Sequence, residues 1–158
     1  MTRVLVTGSS GFIGSHLVAA LQAQRHEVHW WDCNHKTSIG YSYNRDYDLH
    51  RGDAQDRLRQ AVHFVDRVYH LAGNADVGIY NTQKDLMTRE WAMAAAVIGA
   101  CAEENKPLVV ASSAYAQGCN TAYGCTKRGI EEMCALAALM DGRPPIGVAR
   151  IFNVYGPG

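Results

Sequence analysis

The chain has 158 residues, 47% hydrophobic and 19% charged, enough for one globular domain with its own core, which excludes a disordered chain. Basic and acidic residues balance at fifteen each, so nothing suggests a nucleic-acid partner or a polybasic membrane anchor. No apolar run approaches the ~20 residues of a membrane span, and the N-terminus reads as a strand rather than a signal peptide.

Arg3–Thr7, with its core Val4-Leu5-Val6, reads as the first strand. Thr7-Gly8-Ser9-Ser10-Gly11-Phe12-Ile13-Gly14 follows at once, and residues 12–24 read as a helix. Strand, glycine-rich turn and helix in this order suit a dinucleotide pyrophosphate. Gly8 lets the chain leave the strand sharply, Gly11 lets the backbone approach the phosphates, and Gly14 lets the helix pack closely. The helix N-terminus offers free N–H groups to the phosphates. Any strand-to-helix turn can use glycine, so the flanking elements carry the reading.

Residues 27–32 form the second strand and 47–51 a short third. A helix at 55–64 and a strand at 66–71 come next, then a long alanine-bearing helix at 85–104. A buried strand at 108–112, a helix at 123–140 and a last strand, Ile146–Ile151, complete the pattern. Alternating strands and helices predict an α/β fold, a doubly wound parallel sheet covered on both faces. The whole chain reads as a single domain. The longest irregular stretches, 33–46 and 73–84, follow strand ends, where such sheets bind ligands.

Asp32 ends the second strand, where an acidic residue bonds the adenosine ribose of NAD and repels the extra phosphate of NADP. Lys36 nearby argues the other way, and a solvated strand-end aspartate is the bland alternative. Tyr123 and Lys127 stand four apart on a helix and so point the same way. An ammonium beside a phenol favours the phenolate, which makes the pair a candidate acid/base. A surface pair is the default for Y-x-x-x-K, but this one opens the helix after the fifth strand. Ser112-Ser113 could hold a substrate oxygen beside that tyrosine, or simply cap a strand end. The five cysteines form no C-x-x-C pair and read as reduced cytoplasmic thiols, and the seven histidines show no metal spacing, so no metal is expected.

Together these segments resemble the extended short-chain dehydrogenase/reductase superfamily, the NAD-dependent sugar epimerases and dehydratases. The matching stretches are Thr7–Gly14, Asp32, Gly52-Asp53, His70-Leu71-Ala72-Gly73, Ser112-Ser113, Tyr123–Lys127 and residues 150–158, in the family's order. The resemblance implies a Rossmann fold holding NAD. Gly8, Gly11, Phe12, Ile13 and Gly14 would hold its pyrophosphate, Asp32 its adenosine ribose and Asp53 its adenine. Leu71 and Ala72 would line the nicotinamide side. Tyr123 would be the acid/base, Lys127 would bind the nicotinamide ribose and polarise Tyr123, Ser113 would hold the reacting hydroxyl, and Asn153 would contact the substrate.

The implied chemistry is transient hydride transfer from a nucleotide sugar, as in a UDP-glucose 4-epimerase. Dehydratases of this family carry acidic residues after the active-site serine or threonine, whereas Ala114 and Tyr115 stand here. The stretch from Ala72 to Val77 also resembles 4-epimerases. A dehydratase or reductase of the superfamily is the alternative. The resemblance further implies a homodimer formed through the helices at 85–104 and 123–140.

Three departures stand out. The chain ends at Gly158, straight after Tyr155-Gly156-Pro157-Gly158, so the family's C-terminal substrate-binding portion is missing. The loop from Ser113 to Tyr123 is shorter than in extended members. Arg89 and Glu90 occupy the helix where the family usually offers an asparagine. Three readings follow: the N-terminal portion of a longer epimerase, a compact variant completed by oligomerisation, or an NAD-binding module without turnover.

Overall fold

The computed structural model describes residues 1–32, 42–43, 52–83, 85–140, 142 and 144–157, the side chains of 42, 43, 52 and 53 excepted. Its elements are β1 (Arg3–Thr7), α1 (Phe12–Ala23), β2 (Glu27–Trp31), β3 (Ser42–Tyr43), α2 (Gly52–Phe64), β4 (Arg67–His70), α3 (Leu86–Glu103), β5 (Leu108–Ser113), α4 (Ala122–Ala138) and β6 (Ile146–Ile151). The six strands form one parallel sheet in the order β3-β2-β1-β4-β5-β6. This is the expected doubly wound α/β fold. Strand order reverses between β1 and β4, and open α/β sheets bind their ligands at such a switch point.

Side-chain alternation along β1 divides the core. Val4 and Val6 face α1 and pack with Val18, Leu21 and Trp30. Leu5 faces the other way, into a larger cluster built by Leu58 and Val62 of α2, Val97 and Ile98 of α3, and Ile130 of α4. All three β1 residues are fully buried, as a strand between two helical layers requires. α1 and α3 each end in a left-handed residue, Arg25 (φ 61°) and Asn105 (φ 51°). The next N–H then turns back, His26 to Leu21 O at 3.0 Å and Lys106 to Cys101 O at 2.8 Å.

The third strand is Ser42–Tyr43, earlier than expected, and residues 47–51 lie outside the described residues. Two 3₁₀ turns, Ile79–Asn81 and Ala114–Ala116, interrupt stretches read as plain loop, because three residues show no period. The covering of the sheet is uneven. β6 is an edge strand with four of its six residues exposed, so both faces are buried only nearer the centre. Among the described residues no helix is long and apolar enough to cross a membrane.

Thr7 and His70, at the ends of β1 and β4, are buried neighbours with Oγ1 and Nδ1 2.7 Å apart. Thr7 Oγ1 also accepts the N–H of Ala72 at 3.3 Å. Burial, and then the nearby Lys127 charge, push the His70 imidazole down to about 3 from 6.5. The unfolded chain therefore binds this proton below pH 6.5 while the folded chain refuses it until about pH 3. The contribution of His70 to stability is full above pH 6.5 and lost on acidification. Urea denaturation should show wild type losing up to about 1.4 kcal/mol per pH unit from this group across that window. H70N, which keeps a polar atom near the Nδ1 position, should lose much less. Equal acid slopes for the two proteins would assign the loss to other groups.

Candidate active site

The turn between β1 and α1 is built around contacts that leave no room for a side chain. Gly8 has φ +70°, and a β-carbon there would lie 2.5 Å from Ala72 N. A β-carbon on Gly14 would overlap Gly8 O and come within 2.8 Å of Ser9 Cα. Gly8 thus docks the turn on the end of β4, and Gly14 seats α1 on the turn. At Gly11 the only crowding among the described residues is Gly8 O, at 3.3 Å. Gly11 is also the N-cap of α1 and supplies no side chain to the helix's first N–H groups, which remain for an anion. Phe12 and Ile13, exposed, flank this end.

Asp32 is held rather than loosely solvated. Its carboxylate accepts the Ser10 N–H of the turn at 2.8 Å, which places an anion beside the glycines at the end of β2. Asp53 is the second residue of α2, but its side chain, like the whole of Lys36, lies outside the described residues. The helix end without a side-chain cap, the crowded glycines of the turn and the tethered Asp32 fit a dinucleotide that carries a pyrophosphate and an unphosphorylated ribose.

Leu71 and Ala72 continue β4 and stand against the same turn. The Leu71 N–H donates to Thr7 O at 3.1 Å. Gly73 follows with φ +153°, and a β-carbon there would lie 2.8 Å from Lys127 Nζ. The glycine turn, the end of β4 and Lys127 therefore meet in succession at the switch point. Tyr123 and Lys127 occupy the inner face of α4 and are both buried. Lys127 Nζ is 5.6 Å from the centre of the Tyr123 ring. That ring is wedged edge-on between Tyr80 (5.2 Å) and Tyr115 (5.8 Å). Thr121 caps α4, its hydroxyl accepting the Gly124 N–H at 3.0 Å.

The two serines part company. Ser112 donates to Glu131 of α4 at 2.6 Å, while Ser113 Oγ accepts the Tyr115 N–H at 3.3 Å. Ser113 thus caps the 3₁₀ turn that carries Tyr115 towards Tyr123. Asn153 is exposed on the segment after β6. Farther along that segment, a β-carbon at Gly156 would be 3.5 Å from the Phe12 ring, so its end lies near the start of α1.

Residue 90 is the main addition to the sequence reading. Arg89 is a solvated residue paired with Asp85 at 2.9 Å, but Glu90 is buried. Its carboxylate takes Lys127 Nζ at 3.1 Å, the Tyr80 hydroxyl at 2.6 Å and the Asn74 N–H at 2.5 Å. Burial, and then the bond to Glu90, hold the Tyr80 phenol far above its usual value, so Tyr80 stays a neutral donor. Glu90 was visible in the sequence as a departure from the asparagine of the resembled family. Nothing local announced its partners.

A family model described as "NAD dependent epimerase/dehydratase family" matches residues 4–158. UDP-glucuronic acid decarboxylase 1 of Xenopus tropicalis is 28% identical, over 98% of this chain and 42% of the relative. That alignment runs over 180 positions, more than the 158 of this chain, so the relative carries insertions that this chain lacks. UDP-glucose 4-epimerase of Neisseria meningitidis serogroup B is 38% identical over 88 residues, 49% of this chain and 26% of the relative. Among solved structures, "MoeE5 in complex with UDP-glucose and NAD" superposes with a TM-score of 0.82 at 29% identity. It is matched over 99% of this chain and 56% of its own. The chain spans about half the length of the proteins it matches along its whole extent.

Removing one partner of a buried ion pair strands the other charge, at a cost of about 3–5 kcal/mol. E90Q should therefore lower the urea-unfolding free energy by roughly 3 kcal/mol, as should K127M. The double variant should cost clearly less than the two singles combined, because neither charge is then stranded. Additive losses in that cycle would mean that the two groups do not interact in solution.

Proposed function

The chain belongs to the NAD-dependent epimerase/dehydratase family, and from that membership we propose that it is the NAD-binding portion of a nucleotide-sugar epimerase of the UDP-glucose 4-epimerase kind. The observation that carries the reading is the burial of Tyr123 and Lys127 together, across Gly73 from the glycine turn. In this reading Gly8, Gly11, Phe12, Ile13 and Gly14 hold the pyrophosphate. Asp32 holds the adenosine ribose, Asp53 the adenine, and Leu71 and Ala72 the nicotinamide side. When bound, NAD supplies a hydride acceptor that returns the hydride within the same cycle.

The chain's own work is proton management and orientation. Tyr123 removes the proton of the reacting sugar hydroxyl, and Ser113 orients that hydroxyl. Lys127 sets its positive charge beside the Tyr123 ring and holds the nicotinamide ribose. Glu90 fixes the lysine from the far side, and the rings of Tyr80 and Tyr115 hold the Tyr123 ring edge-on. Asn153 would contact the sugar nucleotide.

Epimerisation is favoured over dehydration by Ala114 and Tyr115, which put no carboxylate after Ser113. Glu90 does not replace one, since its oxygens are committed to Lys127, Tyr80 and Asn74. A homodimer would use the outer faces of α3 and α4, where Ala92, Ala95, Ala135 and Leu136 are exposed. The reading as a binding module without turnover draws on the short loop between Ser113 and Tyr123.

Trp30 and Trp31 end β2 beside Asp32, so protein fluorescence reports on the adenosine side. Titration with NADH should quench it saturably, and more tightly than titration with NADPH. G14A should abolish that binding. Y123F should retain it while turnover of UDP-glucose falls roughly a hundred- to ten-thousand-fold. Unchanged turnover in Y123F would remove Tyr123 as the acid/base. NADH binding by a wild-type chain that turns over no sugar nucleotide would establish the binding module instead.

A further inference from the structure

One chemical feature is left unused by the site. Cys119 and Cys125 lie six positions apart, with their sulfurs only 2.6 Å from each other. Cys119 has φ +51°, a left-handed conformation uncommon for a side-chain-bearing residue. That turn folds its thiol back over the first turn of α4. Cys125 Sγ also donates to Cys119 O at 3.1 Å, and the Cys119 N–H donates to Tyr115 O at 3.3 Å. Two sulfurs so placed need only a small approach to reach the ~2.05 Å of a disulfide.

The other described cysteines are different. Cys101 and Cys134 are buried, and burial pushes their thiols up to about 12 and about 11. Cys119 is exposed and Cys125 half-buried, so a reagent can reach this pair. No other described histidine, cysteine or carboxylate joins them in a metal-binding group. Two accessible thiols in contact, with no third ligand, favour redox chemistry over metal binding.

We propose that Cys119 and Cys125 form a reversible intrachain disulfide that clamps the loop before α4 onto the helix bearing Tyr123 and Lys127. The oxidant is a small disulfide of the glutathione class. One protein thiolate attacks it and releases one small thiol. The second protein thiolate then attacks the mixed disulfide and releases the other. One protein disulfide and two small thiols result, and a dithiol reductant reverses the exchange. The clamp acts on a tightly folded region. A β-carbon on Gly124 would sit 2.6 Å from Tyr115 O, so the 3₁₀ turn and the start of α4 are already in contact.

The hydrogen bond to Cys125 holds the Cys119 thiol above its ordinary value, so exchange is run at mildly alkaline pH. The folded full chain is treated with excess oxidised glutathione, and remaining thiols are alkylated. Cleavage after Tyr123 then separates the two cysteines unless they are bonded. The expected result is a chain lighter by two hydrogens, with the Cys119 and Cys125 peptides joined until dithiothreitol parts them. The oxidised chain should also melt at a higher temperature than the reduced one, a difference absent in C119S and C125S. A lasting glutathione adduct on either cysteine would overturn the disulfide. So would comparable pairing with Cys33, Cys101 or Cys134, as expected of the urea-unfolded chain. Equal melting temperatures of the oxidised and reduced chains would overturn the clamp.

Discussion

The Lys127 ammonium sits inside the protein, and a buried charge requires a partner. Glu90 is that partner, and much of the site follows from the demand. The carboxylate must itself be bonded on its remaining lone pairs, and it takes the Tyr80 hydroxyl and the Asn74 N–H. The segment between β4 and α3 is thereby pinned over α4. Tyr80, brought in to satisfy Glu90, lays its ring edge-on against Tyr123. A single ion pair thus joins α3, α4 and the loop after β4, and fixes the phenol's surroundings as a by-product. Such a pair adds little net stability compared with an apolar replacement. What it supplies is a defined position for the lysine.

The glycine turn imposes the complementary constraint on the other side of β4. Gly8 is pressed against Ala72, and Gly73, one residue on, is pressed against Lys127. The end of β4 is therefore the spacer between the glycine turn and the tyrosine–lysine pair. Its placement is reinforced from beneath, where Thr7 Oγ1 bonds both His70 and the Ala72 N–H. The parallel order β2-β1-β4-β5 brings four strand ends to one edge. Asp32, Gly8, Ala72 and Ser113 come from those four ends in turn. The glycine turn and the tyrosine–lysine pair are thereby brought to one end of the sheet, on either side of the end of β4.

The parts of this arrangement that rest on local spacing are legible in the sequence. The glycines and the apolar runs around them identify β1, the turn and α1 without reference to anything distant. Tyr123 and Lys127 share a helix face by their interval of four. The role of Glu90 is not legible, because its partners lie 10, 16 and 37 positions away and only the packing of α3 against α4 selects them. The contact of Cys119 with Cys125 is hidden for another reason. It depends on a left-handed turn at Cys119 itself, whereas the residues that usually signal such a turn, Gly118 and Asn120, stand on either side of it. The left-handed Arg25 after α1 is hidden in the same way, whereas Asn105 after α3 is a residue that takes this conformation readily.

Ser112 and Ser113 show how strand geometry settles what composition leaves open. Adjacent residues on a strand point to opposite faces, so two neighbouring hydroxyls cannot share one task. Ser112 points to α4 and donates to Glu131, which Arg150 of β6 grips at 2.6 and 2.8 Å. The Arg150 bond, ahead of that from Ser112, holds the Glu131 carboxyl below its usual value, so the carboxylate stays ionised as an anchor for β5, α4 and β6. Ser113 points the other way and caps the turn that presents Tyr115 to Tyr123. The parity of the strand alone therefore makes Ser112 a brace of the sheet edge and turns Ser113 towards the Tyr115–Tyr123 side.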